Sequence, residues 1–223
     1  MKYKALFLDF YGTLVYEDDP VIAKITERMS LCAPSGTDPR EIAHHWWLEI
    51  KTLCENSFGA NFKTQRELEK ISINNTLKHF NCKNADLDLD RNLFEYWIKP
   101  EICADSKRFL SENKLPVCVV SNIDRDDILQ ACEHHGLSFN NIVTSEDARS
   151  YKPRPEIFRM VLDLMGADPE RTLHIGDSLS ADVYGAHACG IDSFWLNRKR
   201  RQIPEGCPAA YIGETLLDLL KIL

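Results

Sequence analysis

The feature that most constrains this chain is a short apolar run, Ala5 to Leu8, that stops at Asp9 and is followed by a turn residue at Gly12. An apolar run of four residues bounded in this way reads as a buried strand with a loop at its carboxyl end. The same punctuation recurs. Pro116 to Val120 ends at Ser121-Asn122, and Thr172 to Ile175 ends at Gly176-Asp177. Asn141 to Thr144 and Ser193 to Leu196 are two weaker runs of the same kind. Helical periods lie between them: Asp124 to His135 carries Ile128, Leu129 and Cys132, and Glu156 to Leu164 carries Ile157, Val161 and Leu164. Strands alternating with helices predict a doubly wound α/β core with a parallel sheet covered on both faces. Ligands bind such sheets at the carboxyl ends of the strands, where the polar residues just named stand.

Residues 18–99 read differently. Val21, Ile25 and Met29 are spaced by four, as are Ile42, Trp46, Ile50 and Cys54. Leu68, Ile71 and Asn75, or Ile73, Leu77 and Phe80, suggest a further helix. Breaks fall at Ala33-Pro34-Ser35-Gly36 and Ser57-Phe58-Gly59. The pattern predicts an all-helical insertion of about four helices, with residues 1–17 and 100–223 forming the core. Lys99-Pro100 is the return point, because a residue before proline resists helical geometry. Leu216, Leu217, Leu219, Leu220 and Leu223 predict a final amphipathic helix packed on the core.

Composition narrows the function. A hydrophobic share of 44% supports a real core, and a net charge of -7 argues against a broad surface for nucleic acid. No segment approaches the roughly 20 apolar residues of a membrane span, and the first ten residues lack a signal-peptide pattern. The eight cysteines form no C-x-x-C pair, so a zinc site is not expected and each reads as a small buried hydrophobe. A soluble cytoplasmic protein with reduced thiols, monomeric or homodimeric, is the expectation.

Taken singly, the polar residues at the strand ends are ordinary. Asp9, Ser121-Asn122 and Gly176-Asp177-Ser178 each fit a turn or cap, and Lys152 fits a solvated surface. Their order is not ordinary. Asp9-Phe10-Tyr11-Gly12-Thr13-Leu14, then Ser121-Asn122, then Lys152 in Tyr151-Lys152-Pro153-Arg154-Pro155, then Asp177 and Asp182 in Gly176-Asp177-Ser178-Leu179-Ser180-Ala181-Asp182 together resemble the four motifs of the haloacid dehalogenase superfamily. The resemblance covers the core, and the helical insertion is similar in placement to that family's cap.

The resemblance implies roles that suit each residue type. Asp9 is the nucleophile, splitting one hard displacement into two easier steps through a covalent aspartyl intermediate. Asp9, Asp177 and the main-chain carbonyl of Tyr11 bind a hard cation, most simply magnesium, with Asp182 reaching a metal-bound water or orienting Lys152. Ser121 and the amide of Asn122 donate to phosphoryl oxygens, Thr13 bonds Asp9 or its loop, and Lys152 steadies both Asp9 and the transferring group. The implied substrate is a small phosphorylated molecule.

One position departs from the phosphatase pattern. Where most phosphatases of the superfamily carry a second aspartate two residues after the nucleophile, this chain has Tyr11, and a phenol is a poor base at neutral pH. Tyrosine there resembles the metal-independent 2-haloacid dehalogenases. Those enzymes, however, carry neutral side chains in place of Asp177 and a tyrosine six residues after the lysine, where this chain has Phe158. The fourth motif therefore favours the metal-dependent phosphatase. A dehalogenase and a weakly active or non-catalytic phosphate-binding protein are the alternatives.

Other features have plainer expectations. In the pair Trp46-Trp47, Trp46 packs inside the insertion and His44 and His45 before it are solvated; the alternative places one of these residues over a substrate. His134-His135 ends a helix, where imidazole suits the helix dipole. His174 is a packed neighbour inside a strand. Arg198-Lys199-Arg200-Arg201 is a solvated loop.

Overall fold

The computed structural model describes residues 2–82 and 88–223; residues 83–87, inside the expected insertion, lie outside that description. Strand β1 (Ala5–Leu8) leads into helices α1 (Asp19–Cys32), α2 (Pro39–Asn56), α3 (Gln65–His79) and α4 (Leu89–Ile98). The chain then runs through α5 (Ser106–Glu112), β2 (Val117–Ser121), α6 (Arg125–His135), β3 (Asn141–Thr144), α7 (Ser145–Ala148) and α8 (Pro155–Met165). It finishes with β4 (Thr172–Gly176), α9 (Gly185–Ala188), β5 (Asp192–Leu196), β6 (Tyr211–Gly213) and α10 (Leu216–Leu219).

Among the described residues the sheet has six strands in the order β3-β2-β1-β4-β5-β6, with every pair parallel. Strand β1 is the pivot. The chain adds β2 and β3 on one side of it and β4 to β6 on the other, so the crevice at its carboxyl end is the expected ligand position. Strand alternation divides the core between two faces. Leu6 and Leu8 point with Val119, Leu173 and Phe194 into one apolar layer, while Ala5 and Phe7 point with Val120, Ile157 and Val161 into the other.

Five details differ from the sequence expectation. Leu129 is 43% exposed, because the buried side of α6 is Asp127, Ile128, Ala131 and Cys132, and one helical step carries the next residue about 100° away. Leu164, in the last turn of α8, is also exposed, and Phe158 takes the inward position. Strand β6 was not expected: three residues are too few to show a periodic run. The final helix is shorter than its leucines suggest, ending at Leu219. Of the cysteines, Cys103, Cys118 and Cys132 are buried, whereas the other five are only partly so.

The helical insertion has its own apolar cluster, formed by Ile25, Met29, Ile42, Trp46, Ile73, Leu93 and Trp97. Trp46 is interior, as expected, and donates its indole N–H to Glu69 at 3.1 Å and Ser72 at 2.8 Å, while Trp47 is 56% exposed. Tyr11 and Ile123, from loops at the strand ends, pack against the same cluster and join it to the sheet domain. Polar contacts complete the junction. Asp124 accepts from the amides of Gln65 at 2.7 Å and Arg66 at 3.0 Å, so a residue after β2 caps the first turn of α3. Arg66 pairs with buried Asp127 at 2.9 Å, and the Tyr151 hydroxyl donates to the Lys63 carbonyl at 2.8 Å. The insertion is thus seated on the two loops that carry Ser121 and Lys152.

Candidate active site

The four motifs converge above β1. Asp9 leaves β1 with its amide still bonded to the Ile175 carbonyl at 2.8 Å, so the sheet holds its backbone while its side chain leaves the strand end. Gly12 turns the chain at φ +82, and a Cβ there would lie 2.5 Å from Asp177 Oδ1. Glycine is required at this position by both conformation and space. Gly176 makes the matching allowance for the other acid: its missing Cβ would lie 2.2 Å from Asp182 Cγ. The Gly-Asp pairing in the fourth motif therefore has a packing cause.

Lys152 is fully buried and uses all three ammonium hydrogens. It donates to Asp9 Oδ1 at 2.8 Å, Asp182 Oδ1 at 2.7 Å and the Val120 carbonyl at 2.9 Å. Burial alone would depress its pKa, but Asp182 and Asp9 outweigh that and hold it above the ordinary lysine value. Thr13 Oγ1 donates to Asp9 Oδ2 at 3.1 Å. Burial raises Asp9, Lys152 opposes that and Asp182 reinforces it, leaving Asp9 at about 6. Burial also works against a charged Asp182, yet Lys152 and His174 prevail and keep it below the usual carboxylate range.

Asp177 is the acid least compensated by its surroundings. Burial, together with Glu17, Asp182 and Asp9, pushes it up to about 8, with Arg201 the opposing influence. Oxygens of Asp9, Asp177 and Asp182 all lie within 4.8 Å of one another. An all-oxygen set of buried acids in that space fits a hard divalent cation. Asp182 is the least free of the three. Its Oδ1 takes Lys152 and His174, the latter at 2.9 Å, and its Oδ2 takes the Ser178 amide at 3.0 Å. Of the two roles open to Asp182, these contacts favour orienting Lys152.

Ser121 is buried at the end of β2 beside this cluster. Asn122 contributes more than its amide. Its side chain accepts from the Lys152 amide at 2.7 Å and donates to the Lys152 carbonyl at 3.1 Å, clamping the backbone that carries the ammonium. The phenol of Tyr11 turns away from Asp9 and donates to the Trp97 carbonyl at the end of α4. Burial, then Asp127 and Asp18, hold that phenol well above its ordinary pKa.

Three residues reach the site that sequence reasoning placed elsewhere. His174 was expected to be a packed neighbour; it does stack edge-on against Phe158, but it also bonds Asp182. The available signal was a lone imidazole in an otherwise apolar strand, since buried polar groups need partners. Arg198 and Arg201 were expected to be solvated. Arg198 instead holds Asp105 and the Thr13 carbonyl, at 2.9 and 2.8 Å, and Arg201 holds Asp177. A cavity of about 620 Å³ opens beside Asp177 and Gly12, walled by Tyr16, Val21, Tyr96 and Arg201.

A buried lysine shared between two acids, at the switch point of an all-parallel sheet, defines a doubly wound α/β protein with an acidic site at its strand ends. A model of the haloacid dehalogenase-like hydrolases matches residues 3–190, and the chain belongs to that family. Among curated relatives, it is 38% identical over 124 residues to haloacid dehalogenase-like hydrolase domain-containing protein 3 of Danio rerio, covering 51% of this chain and 50% of the relative. The same-named Bos taurus protein is 32% identical over 68% of this chain and 55% of its own length. The chain thus spans about half the length of these relatives. Two solved structures share the fold. The L-2-haloacid dehalogenase RSc1362 aligns with TM-score 0.80 at 18% identity, over 100% of this chain and 99% of that one. The putative HAD-hydrolase YfnB of Bacillus subtilis, solved bound to magnesium, aligns with TM-score 0.77 at 21% identity over the same shares. Among the described residues, no helix is long and apolar enough to cross a membrane.

Proposed function

We propose that this hydrolase is a magnesium-dependent phosphatase acting on a small phosphorylated molecule, with Asp9 as nucleophile. Residues 1–17 and 100–223 form its core, and residues 18–99 form a cap over the site. The observation that carries this reading is the charge balance: three buried acids stand within 4.8 Å of one another, Lys152 pairs with Asp9 and Asp182 only, and Asp177 has just the partly exposed Arg201 opposite it. A cation completes that balance. With all three acids ionised, a metal-free pocket of this composition would repel the carboxylate of a haloacid.

Asp9 and Asp177, with the Tyr11 carbonyl, would hold the ion, which when bound offsets the charge of the phosphoryl group. The protein's own groups supply the rest. A carboxylate oxygen of Asp9 attacks phosphorus, and the bond to the leaving oxygen breaks, with its electron pair departing on that oxygen. Ser121 and the Asn122 amide donate to the phosphoryl oxygens. Lys152 keeps Asp9 ionised and aligned, and Asp182 keeps Lys152 in place. Water then attacks phosphorus, the bond to the Asp9 oxygen breaks with its electron pair returning to the carboxylate, and the water's protons leave with the phosphate. Tyr11 gives its hydrogen to Trp97, so the leaving oxygen gains no proton from that position. Substrates with stable leaving anions, such as aryl or acyl phosphates, are therefore favoured.

The dehalogenase reading rests on Tyr11 and on likeness of fold. Against it, the position expected to carry a tyrosine is Phe158, whose ring packs on His174 and has no hydroxyl to offer. The deciding experiment offers the protein an aryl phosphate and 2-chloropropionate, each with magnesium and with a chelator. Phosphate release that needs magnesium is the expected result. Metal-independent chloride release would establish the dehalogenase, and phosphate binding without turnover would establish a binding protein.

A further inference from the structure

The basic run after β5 is not a loose loop. Asn197, buried at its base, donates its side-chain amide to the Arg201 carbonyl and accepts from the Arg201 amide, both at 2.8 Å. This pair of hydrogen bonds closes the loop and sets where Arg201 begins. Each basic side chain then has an acidic partner: Arg198 has Asp105, Lys199 has Glu17 and Asp19, Arg200 has Glu214, and Arg201 has Asp177. The last pairing differs from the others, because Asp177 belongs to the acid cluster that would take a cation.

Arg201 makes two contacts with that residue. Nη2 donates to the Asp177 main-chain carbonyl and stands 3.2 Å from the carboxylate Oδ2. The carbonyl also accepts from the Trp195 indole at 2.9 Å, and the guanidinium lies 5.7 Å from the centre of the Trp195 ring. The side chain of Arg201 is 41% exposed, so it can swing from the carboxylate without unpacking a core. Its hold on the carbonyl does not depend on the carboxylate. Cation binding can therefore take the carboxylate while the guanidinium stays near, its charge still acting on the ion.

We infer that Arg201 is a positioning residue that competes with the divalent cation for Asp177 and so sets the affinity of the site; this rests on the metal-dependent reading above. In the absence of the ion it holds the Asp177 side chain in place. In its presence it is a like charge beside a dication, and it weakens binding. A weaker site exchanges its ion more readily, and the pairing gives the last residue of the basic run a defined task.

The test is calorimetric titration of magnesium into the whole protein and into Arg201→Gln and Arg201→Lys. Glutamine removes the charge and keeps a polar side chain; lysine restores the charge. Removing one positive charge a few ångströms from a partly exposed ion should tighten binding about tenfold. Arg201→Lys should stay near the parent value, and the gap between the two variants should shrink as salt rises. Tighter binding in Arg201→Gln alone supports the inference. Unchanged or weaker binding in Arg201→Gln, with the parent still binding, overturns it and leaves the metal-dependent reading standing. Silence from the parent and both variants removes that reading, and this inference with it.

Discussion

The Tyr11 hydroxyl donates to the main-chain carbonyl of Trp97, tying the first-motif loop to the last turn of α4. The position that most phosphatases of this family give to an acid–base aspartate is here spent on the junction between core and insertion. Two effects should therefore separate on mutation. Tyr11→Phe removes one hydrogen bond and should cost about 1 kcal/mol in urea unfolding. Tyr11→Asp offers a proton donor near the leaving oxygen and should raise kcat/KM for an alkyl phosphate at least tenfold relative to an aryl phosphate, since acid–base help is typically worth ~10²–10⁴-fold. An unchanged alkyl-to-aryl ratio would count against Asp9-centred phosphoryl transfer limited by the leaving group.

Lys152 offers the harshest single test of the cluster. Its ammonium bridges two buried carboxylates, and its removal leaves both without their main counter-charge. Breaking a buried pair from one side typically costs ~3–5 kcal/mol. Lys152→Met should show a loss of that order in urea unfolding at neutral pH, together with loss of phosphate release. Most of the stability should return at low pH, where Asp9 can be protonated.

The same cluster shows what a sequence can and cannot disclose. Asp9, Lys152, Asp177 and Asp182 were legible through their order, which resembles the four motifs of the family; taken singly, each fits a turn, a cap or a solvated surface. The Asn122 clamp was half legible: its amide was named, but the side-chain bonds to the Lys152 backbone depend on how two loops meet. Arg201 was hidden because a run of four cations looks alike from the outside, and only the Asn197 turn singles out its last member. Leu129 and Leu164 mislead for a related reason, since a helix of mixed periodicity does not state which apolar residues face the sheet.

His174 reaches the site only through Asp182. Its ring is fully buried, and that burial, partly offset by Asp182, lowers its pKa and favours the neutral form. His174→Leu would remove a hydrogen bond from the acid that orients Lys152. A fall in kcat with KM little changed is expected, together with ~1–3 kcal/mol of lost stability. His174→Gln can still donate to Asp182 and should recover much of kcat. If leucine and glutamine behaved alike, His174 would be only a packing residue.

Asp124 joins the two parts of the chain by capping α3 from across the junction. Asp124→Ala should cost about 1 kcal/mol, as loss of a helix cap does. The amides of Gln65 and Arg66 should exchange with solvent deuterium faster than in the parent, while amides in β1 and β4 keep their protection. Faster exchange throughout the sheet would instead mean that the whole fold had been weakened.

Asp177 should make metal binding and stability depend on pH in opposite senses. With no ion bound its folded pKa is raised to about 8, so at pH 7 it mostly carries a proton that a cation must displace. Magnesium affinity should therefore rise with pH and level off above about 8. For the metal-free protein the sign reverses. A carboxyl whose folded pKa lies above its unfolded value contributes stability in full below the unfolded pKa, near 4, and loses it as pH climbs through the folded value. Metal-free protein should lose stability between about pH 4 and 8 more steeply than Asp177→Asn, which has no proton to lose there. Magnesium should flatten the parent's curve and leave that of the variant unmoved. Thermal unfolding at several pH values, with and without the ion, measures all three slopes. Parallel curves for parent and variant would mean that Asp177 is already ionised in the folded chain, so that no proton has to leave it when a cation binds.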